Sequence, residues 1–158
     1  MNLLPAQNLS RGIVLNKLLF YKSVKFFSIW GRLYNTWYTD NHQWIKVKNN
    51  TGFIGLTEHA QQFIGELSYI ELGGVGKHIK KGECLGFVES SKAATDIISP
   101  VTGEITEVNE KVLQNPAGLA YGSKEWLLKV NLNNEEELKG HMNEEEYFKF
   151  IHETDKLQ

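Results

Sequence analysis

The sequence is poor in cysteine and has no long apolar run. Cys84 is the one cysteine among 158 residues, so neither a disulfide framework nor a cysteine-based zinc cluster can form within the chain. No stretch approaches the roughly 18 apolar residues of a membrane-spanning helix. A formal charge of −2 provides no overall basic field of the kind that drives nucleic-acid binding. Because 41% of the residues are hydrophobic, the composition predicts a soluble protein with a packed core.

Acidic residues are missing from the first quarter of the chain. Residues 1–39 carry five basic side chains and no acidic one, whereas residues 40–158 carry 12 basic and 19 acidic side chains, a net charge of −7. Leucine, phenylalanine and serine lie between the N-terminal cations, as in an organellar transit peptide. We therefore expect residues 1–36 to be a transit peptide, cleaved between Phe27 and Thr36, and residues 37–158 to be the mature domain. A membrane-surface helix or a retained basic tail is the alternative.

The mature part consists of short β-forming segments separated by turns. Residues 43–47 and 53–56, with an Asn-Asn-Thr-Gly turn between them, predict a hairpin. Thr57 can cap a short helix that ends at Gly65. In that helix Ala60, Phe63 and Ile64 share one face. Further strands are predicted over residues 67–72, 84–88, 95–98, 103–108 and 126–130, and this spacing favours a small barrel or sandwich.

Two acidic runs near the C-terminus have the chemistry of helix starts. Asn143 precedes three glutamates, and Glu146 occupies the position that completes a capping box. Asn134 precedes a second run of three glutamates and predicts a shorter helix. Carboxylates stabilise the positive end of a helix, so we interpret these runs as helix starts and not as a binding surface. The buried stripe of the last helix is predicted to contain Tyr147, Phe148 and Ile151.

One lysine lies at the predicted tip of a hairpin between two similar halves. Residues 81–85 and 102–105 share a turn-Gly-Glu-apolar pattern, and Lys92 falls between them. Its neighbours are serine and alanine, so an enzyme could reach the amine. An isolated exposed lysine usually serves solubility, but a rigid turn with small neighbours suits attachment of a carboxylic-acid cofactor by an amide bond. No surrounding pocket chemistry suggests a Schiff base at Lys92.

The segment around Lys92 resembles the lipoyl-lysine site of glycine cleavage system H-proteins. That family carries E-S-x-K-A, an aspartate four residues after the lysine, and then S-P-x-x-G-E. The corresponding residues here are 89–93, Asp96 and 99–104. The resemblance extends from about Tyr38 to Ile151. It also includes His42 and Trp44, Gly55-Leu56-Thr57 with Ala60-Gln61, residues 126–129, and Glu146-Tyr147.

The resemblance implies a mainly β fold of the barrel-sandwich hybrid (lipoyl/biotinyl-like) type, with a short internal helix and C-terminal helices. It implies lipoate on the Lys92 amine and Glu89 as the residue that a lipoate ligase or lipoyltransferase recognises. Such a carrier has no catalytic residue of its own, and the five histidines show no metal-ligand spacing.

The same resemblance implies partners and a location. The lysine-bound arm would carry an aminomethyl group from glycine decarboxylase, the pyridoxal-phosphate-dependent P-protein. It would deliver that group to the folate-dependent aminomethyltransferase, the T-protein, and dihydrolipoyl dehydrogenase, the L-protein, would then reoxidise the arm. Together with a transit peptide, this function implies the mitochondrial matrix.

The sequence departs from the family at several positions. Gln43 stands where the family has a glutamate that, with the aspartate matched by Asp96, holds the loaded arm in a cleft. A neutral amide forms a weaker hydrogen bond to an amine than a carboxylate does, so weaker protection of the arm is expected. Ser91 replaces the usual valine before the lysine. The stretch between Val112 and Glu125 is about two residues shorter than usual, and Glu125 replaces a glycine.

Two other functions remain alternatives. The first is a lipoyl carrier that mainly donates or relays lipoate to 2-oxoacid dehydrogenases, for which the charge at Gln43 matters little. The second is a biotin-type or dehydrogenase-embedded carrier domain. Biotin sites place methionine beside the lysine, whereas Ser91 and Ala93 flank Lys92 here. Lipoyl domains of dehydrogenases usually show Asp-Lys-Ala and belong to a longer chain with linkers and a catalytic domain, so both forms of the second alternative are disfavoured.

Overall fold

The computed structural model describes residues 35–119, 122 and 124–155; residues 1–34 of the predicted transit peptide lie outside them. The described part contains nine strands, three α-helices and two 3₁₀ segments. The strands are β1 (Asn35–Tyr38), β2 (Gln43–Lys48), β3 (Thr51–Leu56), β4 (Leu67–Leu72), β5 (His78–Ile79), β6 (Cys84–Ser90), β7 (Ala94–Ile98), β8 (Gly103–Val108) and β9 (Leu128–Leu132). The helices are α1 (Glu58–Ile64), α2 (Glu110–Gln114) and α3 (Glu144–Thr154), and the 3₁₀ segments are Pro116–Gly118 and Glu135–Gly140.

The strands form two antiparallel sheets. Six strands follow the order β1-β2-β3-β9-β8-β5, and three follow the order β4-β6-β7. Strand β9, late in the chain, pairs with β3 on one side and β8 on the other. The predicted mainly β, sandwich-like fold with short helices is therefore confirmed. No helix within the described residues has the length and apolar character to span a membrane.

The predicted hairpin is formed by β2 and β3. Asn49 and Asn50 have φ values of 49° and 63°, the left-handed conformation that a two-residue type I′ turn needs at both positions. Ile45 and Ile54 are Cα partners across the hairpin and have no exposed surface. The turn residues therefore fix the register that buries one face of this hairpin.

One core cluster contains side chains from both sheets. Val130 of the larger sheet and Val88 and Ile97 of the smaller sheet are fully buried in it. Each side chain of this kind contributes roughly 1.5–3 kcal/mol relative to an exposed position. Because Val88 and Ile97 lie on β6 and β7, the core fixes the position of the turn that joins these two strands.

Helix α1 begins and ends where the sequence predicts. The Thr57 hydroxyl accepts a hydrogen bond from the Ala60 N–H at 3.2 Å, and the helix stops before Gly65, whose φ is +82°. The expectation that Phe63 shares a face with buried residues is wrong, because its side chain is 69% exposed. The buried position is taken by Gln61, whose amide donates to the Leu56 carbonyl at 3.1 Å.

Helix α3 has the predicted capping box. The Asn143 side chain accepts from the Glu146 N–H at 3.0 Å, and the Glu146 carboxylate accepts from the Asn143 N–H at 2.9 Å. Tyr147 is buried, whereas Phe148 and Ile151 are only partly buried. The run after Asn134 forms a 3₁₀ segment, and β9 lies two residues later than the predicted last strand.

Candidate functional site

Lys92 lies exposed in the tight turn between β6 and β7. Glu89 and Ala94 are Cα partners at the end of the two-strand ladder. Beyond them, the Ser90 N–H donates to the Ala93 carbonyl at 2.8 Å and closes the turn. The structure therefore presents the Lys92 amine at the end of a hairpin whose strands reach into the core.

The Ser90 side chain lies beneath this turn and is only 8% exposed. Its hydroxyl oxygen accepts from the N–H groups of Lys92 at 3.0 Å and Ala93 at 3.1 Å. The same hydroxyl donates to the Ile64 carbonyl at the end of α1, at 2.7 Å. In the sequence, Ser90 is a small neighbour of Lys92 and the serine of the E-S-x-K-A motif, and no role was predicted for its hydroxyl. Serine side chains often accept a hydrogen bond from the backbone N–H two residues later in a turn, so the position of Ser90 two residues before Lys92 could have predicted this contact.

The Lys92 side chain lies beside Gly65. A Cβ atom built on Gly65 would lie 3.4 Å from the Lys92 Cδ atom and 3.5 Å from its Nζ atom. The lysine stem therefore lies across the residue that terminates α1. The positive φ of Gly65 favours glycine there, whereas a Cβ atom would make only ordinary van der Waals contact with Lys92.

Glu89 and Asp96 lie on the outer face of the three-stranded sheet, and both are exposed. Glu89 is the Cα partner of Tyr69, and Asp96 is the Cα partner of Phe87. The rings of Tyr69 and Phe87 have centroids 5.7 Å apart. Side chains alternate along a strand, so Glu89 points to solvent while the adjacent Ser90 points inward. The predicted recognition residue and one predicted cleft residue thus share a face near the Lys92 turn.

Gln43, the other predicted cleft residue, is 1% exposed. With its amide oriented to satisfy both terminal atoms, the nitrogen donates to the Ile98 carbonyl at 2.7 Å and the oxygen accepts from the Ile98 N–H at 3.1 Å. In this orientation the amide oxygen lies 3.4 Å from the Asp96 backbone carbonyl oxygen, so these two atoms are close but form no hydrogen bond. The structure therefore brings Gln43 to the backbone of β7, and to Asp96 through its main chain.

A histidine and tyrosine cluster that the sequence analysis missed lies next to Gln43. His42, with φ of +57°, has its Nδ1 atom 2.9 Å from the Tyr147 hydroxyl, which in turn lies 2.9 Å from the Thr57 hydroxyl. Burial lowers the pKa of His42, and the nearby His59 lowers it further. Burial also raises the pKa of Tyr147 to about 12. These residues are far apart in sequence, so spacing gave no signal for the contact.

The chemistry that the turn offers is that of an accessible primary amine. Among the residues that the structure describes, no group of three or more His, Cys, Asp or Glu side chains is placed to hold a metal ion. A single exposed lysine on a tight turn between two core strands is a geometry in which a group can be attached to the lysine amine.

Comparisons with known proteins identify the family. A sequence model described as Glycine cleavage H-protein matches residues 36–154. The glycine cleavage system H protein of Carboxydothermus hydrogenoformans is 44% identical over 119 residues, which are 73% of this chain and 91% of that protein. The mitochondrial glycine cleavage system H protein 2 of Arabidopsis thaliana is 40% identical over 121 residues, 75% of this chain and 77% of that protein.

A solved structure agrees with these relatives. The crystal structure of a glycine cleavage system H protein from Mycobacterium marinum superposes with a TM-score of 0.65 at 30% identity. The match covers 72% of this chain and 93% of that chain. The chain therefore belongs to the glycine cleavage H-protein family.

Proposed function

We propose that this chain is the lipoyl carrier of a glycine cleavage system, with lipoate joined to the Lys92 amine. The observation that carries the proposal is the exposed Lys92 on a turn anchored from below by Ser90. An anchored turn holds the amine in one place for a modifying enzyme, while exposure leaves the modified side chain free to enter a partner's active site.

The residues present fit a lysine-bound lipoyl group. The Lys92 amine provides the amide nitrogen, and the residue is exposed at the end of the hairpin. When bound, the group would supply the disulfide and dithiol chemistry for carrying an aminomethyl group. Glu89 is exposed on the sheet face that leads to the turn, where a lipoate ligase or lipoyltransferase can contact it while acting on Lys92.

The proposed partners are the three enzymes that load, unload and reoxidise the arm. They are glycine decarboxylase, the aminomethyltransferase and dihydrolipoyl dehydrogenase, the P-, T- and L-proteins of the system. Catalysis belongs to these enzymes and the cofactor, and this chain provides tethering and orientation. The net charge of −7 over residues 40–158 favours basic docking surfaces on the partners.

We propose the mitochondrial matrix as the location, with residues 1–36 as the transit peptide. The Arabidopsis relative is named as mitochondrial, and the basic, acid-free N-terminus fits import. Strand β1 begins at Asn35, which is the Cα partner of Val47. Cleavage before Asn35 would therefore leave the six-stranded sheet complete, whereas removal of all of residues 1–36 would take Asn35 and Thr36 from β1.

The second candidate function is delivery of lipoate to 2-oxoacid dehydrogenases. The observation that favours it is the buried, neutral Gln43, whose amide bonds the backbone of β7. A residue in that state offers no charge to hold an aminomethyl-loaded arm. Delivery of lipoate alone does not need such a charge.

Reconstitution separates the two functions. We expect the lipoylated full chain, mixed with the three partner enzymes, glycine, tetrahydrofolate and NAD⁺, to support glycine-dependent CO₂ release. A Lys92→Arg chain, which keeps the positive charge but has no amine for the same amide, should support none. Lipoylated protein that gives no CO₂ release but restores a lipoate-depleted 2-oxoacid dehydrogenase would select the second candidate.

A further inference from the structure

The Ser90 hydroxyl uses its complete hydrogen-bonding capacity at the attachment turn. A serine hydroxyl has one proton to donate and two lone pairs that accept. Here the lone pairs accept from the N–H groups of Lys92 and Ala93. Two carbonyl oxygens lie within reach of the proton, that of Ile64 at 2.7 Å and that of Ala93 at 3.3 Å, and the shorter contact is with Ile64. One buried oxygen atom therefore joins the two residues at the turn tip to another element.

That other element is the C-terminal end of α1. The last carbonyl groups of a helix have no partner within the helix, and the Ser90 hydroxyl supplies one to Ile64 across 26 sequence positions. Gly65, the next residue, lies under the Lys92 stem. The hairpin turn therefore rests on a helix end through a hydrogen bond and through direct packing.

The adjacent serine provides a contrast. Ser91 is exposed at the turn tip, whereas Ser90 is buried beneath it. Removing the Ser90 oxygen would leave the Lys92 and Ala93 N–H groups and the Ile64 carbonyl without this partner. Loss of the Ser91 hydroxyl would leave the hydrogen bonds of the Ser90 hydroxyl in place.

We propose that Ser90 is a positioning residue for modification of Lys92, because it holds the turn against α1 in the conformation that the lipoylating enzyme binds. This inference rests on the proposed function. If the enzyme binds only the held conformation, its apparent dissociation constant for the chain equals the intrinsic constant divided by the fraction of chains in that conformation. Loss of the Ser90 hydroxyl should therefore raise KM for the protein substrate and leave kcat nearly unchanged.

The test measures lipoylation of the full chain by a lipoate–protein ligase with lipoate and ATP, followed by mass spectrometry. We expect Ser90→Ala to raise KM about tenfold, which corresponds to a turn held in about a tenth of the chains. Ser90→Thr, which keeps a hydroxyl, should restore KM to within about threefold of the original value. The matched control Ser91→Ala should behave as the original chain.

A second readout separates positioning from general stability. Amide hydrogen exchange in Ser90→Ala should accelerate at Lys92 and Ala93, while the amide of the core residue Val88 stays protected. Should Ser90→Ala fail to fold, Ser90→Cys supplies the comparison with Ser90→Thr, because a thiol is of similar size but is a weak acceptor.

The outcomes are distinct. A folded Ser90→Ala chain with the original KM, or equal KM values for Ser90→Cys and Ser90→Thr, would overturn this inference alone. An equal rise in KM for Ser91→Ala would also overturn it, since Ser90 would then have no special role. An unaltered chain that takes no lipoyl group on Lys92 would overturn the proposed function and this inference with it.

Discussion

Because Gln43 is buried, a negative charge at that position would affect the stability of the fold. Its amide donates to and accepts from the backbone of Ile98 and has almost no contact with solvent. A carboxylate there would keep the bond from the Ile98 N–H but would set its second oxygen against the Ile98 carbonyl. The neutral amide therefore suits a structural contact between β2 and β7.

We predict that Gln43→Glu destabilises the protein at neutral pH. Burial without a second donor raises the folded-state pKa of the new carboxyl above its unfolded value of about 4.3. The folded state then binds the proton more tightly, so stability is retained below about pH 4.3 and is lost as the pH rises through the folded pKa. We expect a loss of about 2 kcal/mol at pH 8 and a much smaller one at pH 4, measured by urea unfolding.

The matched control for this change is Gln62→Glu. Gln62 is exposed on α1, so the same substitution there should shift the free energy of unfolding by less than about 0.5 kcal/mol at either pH. Equal effects of the two substitutions at pH 8 would show that the environment of Gln43 does not disfavour a charge.

The sequence predicts Lys92 as the attachment site from its local context, and the family resemblance adds Glu89 as the recognition residue. A serine and alanine context, an acidic residue three positions earlier and a following Ser-Pro are all visible within one segment. The state of Ser90 and Gln43 depends instead on Ile64 and Ile98, which belong to other elements. No local sequence pattern encodes such contacts. Only the three-dimensional structure shows that the side chains of Ser90 and Gln43 are buried.

Local chemistry also explains which elements the sequence predicted. The β2–β3 hairpin, the Thr57 cap and the capping box of α3 each depend on residues a few positions apart. Strand β1 was not predicted. Strand β5 was not predicted either, because it has only two residues and depends on its pairing with β8. Phe63 was misplaced because helical spacing could not show that Gln61 bonds Leu56 and turns inward.

The His42 cluster joins three elements near the larger sheet. His42 lies in the turn between β1 and β2, Thr57 caps α1, and Tyr147 belongs to α3. The Tyr147 ring also stacks on Tyr38 of β1, with centroids 4.8 Å apart. Protonation of His42 would place a charge in a partly buried site beside the His59 ring, whose centroid is 4.5 Å away.

We predict that this cluster makes stability depend on pH. The folded-state pKa of His42 is lowered, first by burial and then by His59. The unfolded chain therefore binds the proton more tightly, and this part of the stability is present above about pH 6.5 and is lost as the pH falls through the folded pKa. His42→Asn, in which asparagine tolerates the positive φ, should show a shallower loss of stability between pH 7 and pH 5.

Thermal unfolding at several pH values measures this effect. His78→Asn is the control, because His78 is exposed on β5. It should keep the pH dependence of the unaltered chain. A pH slope that is the same in all three proteins would refute the role of His42.

At the scale of the whole molecule, residues 40–158 carry seven more acidic than basic side chains. We predict that docking to the lipoylating enzyme weakens as salt screens this charge. KM for the chain should rise severalfold between about 20 mM and about 300 mM salt, because the Debye length falls from roughly 20 Å to roughly 6 Å. A KM that does not change over this range would show that net charge does not guide docking.

The most direct test of the carrier function is the mass of the protein isolated from its native source. We predict an intact mass that exceeds the processed polypeptide by one lipoyl group, and peptide mapping should place that increment on Lys92. A Lys92→Arg chain expressed in the same cells should fold, since the residue is exposed, and should show no increment. An unmodified Lys92 in the native protein, or a lipoyl group on the Lys92→Arg chain, would contradict the assignment of Lys92 as the attachment site.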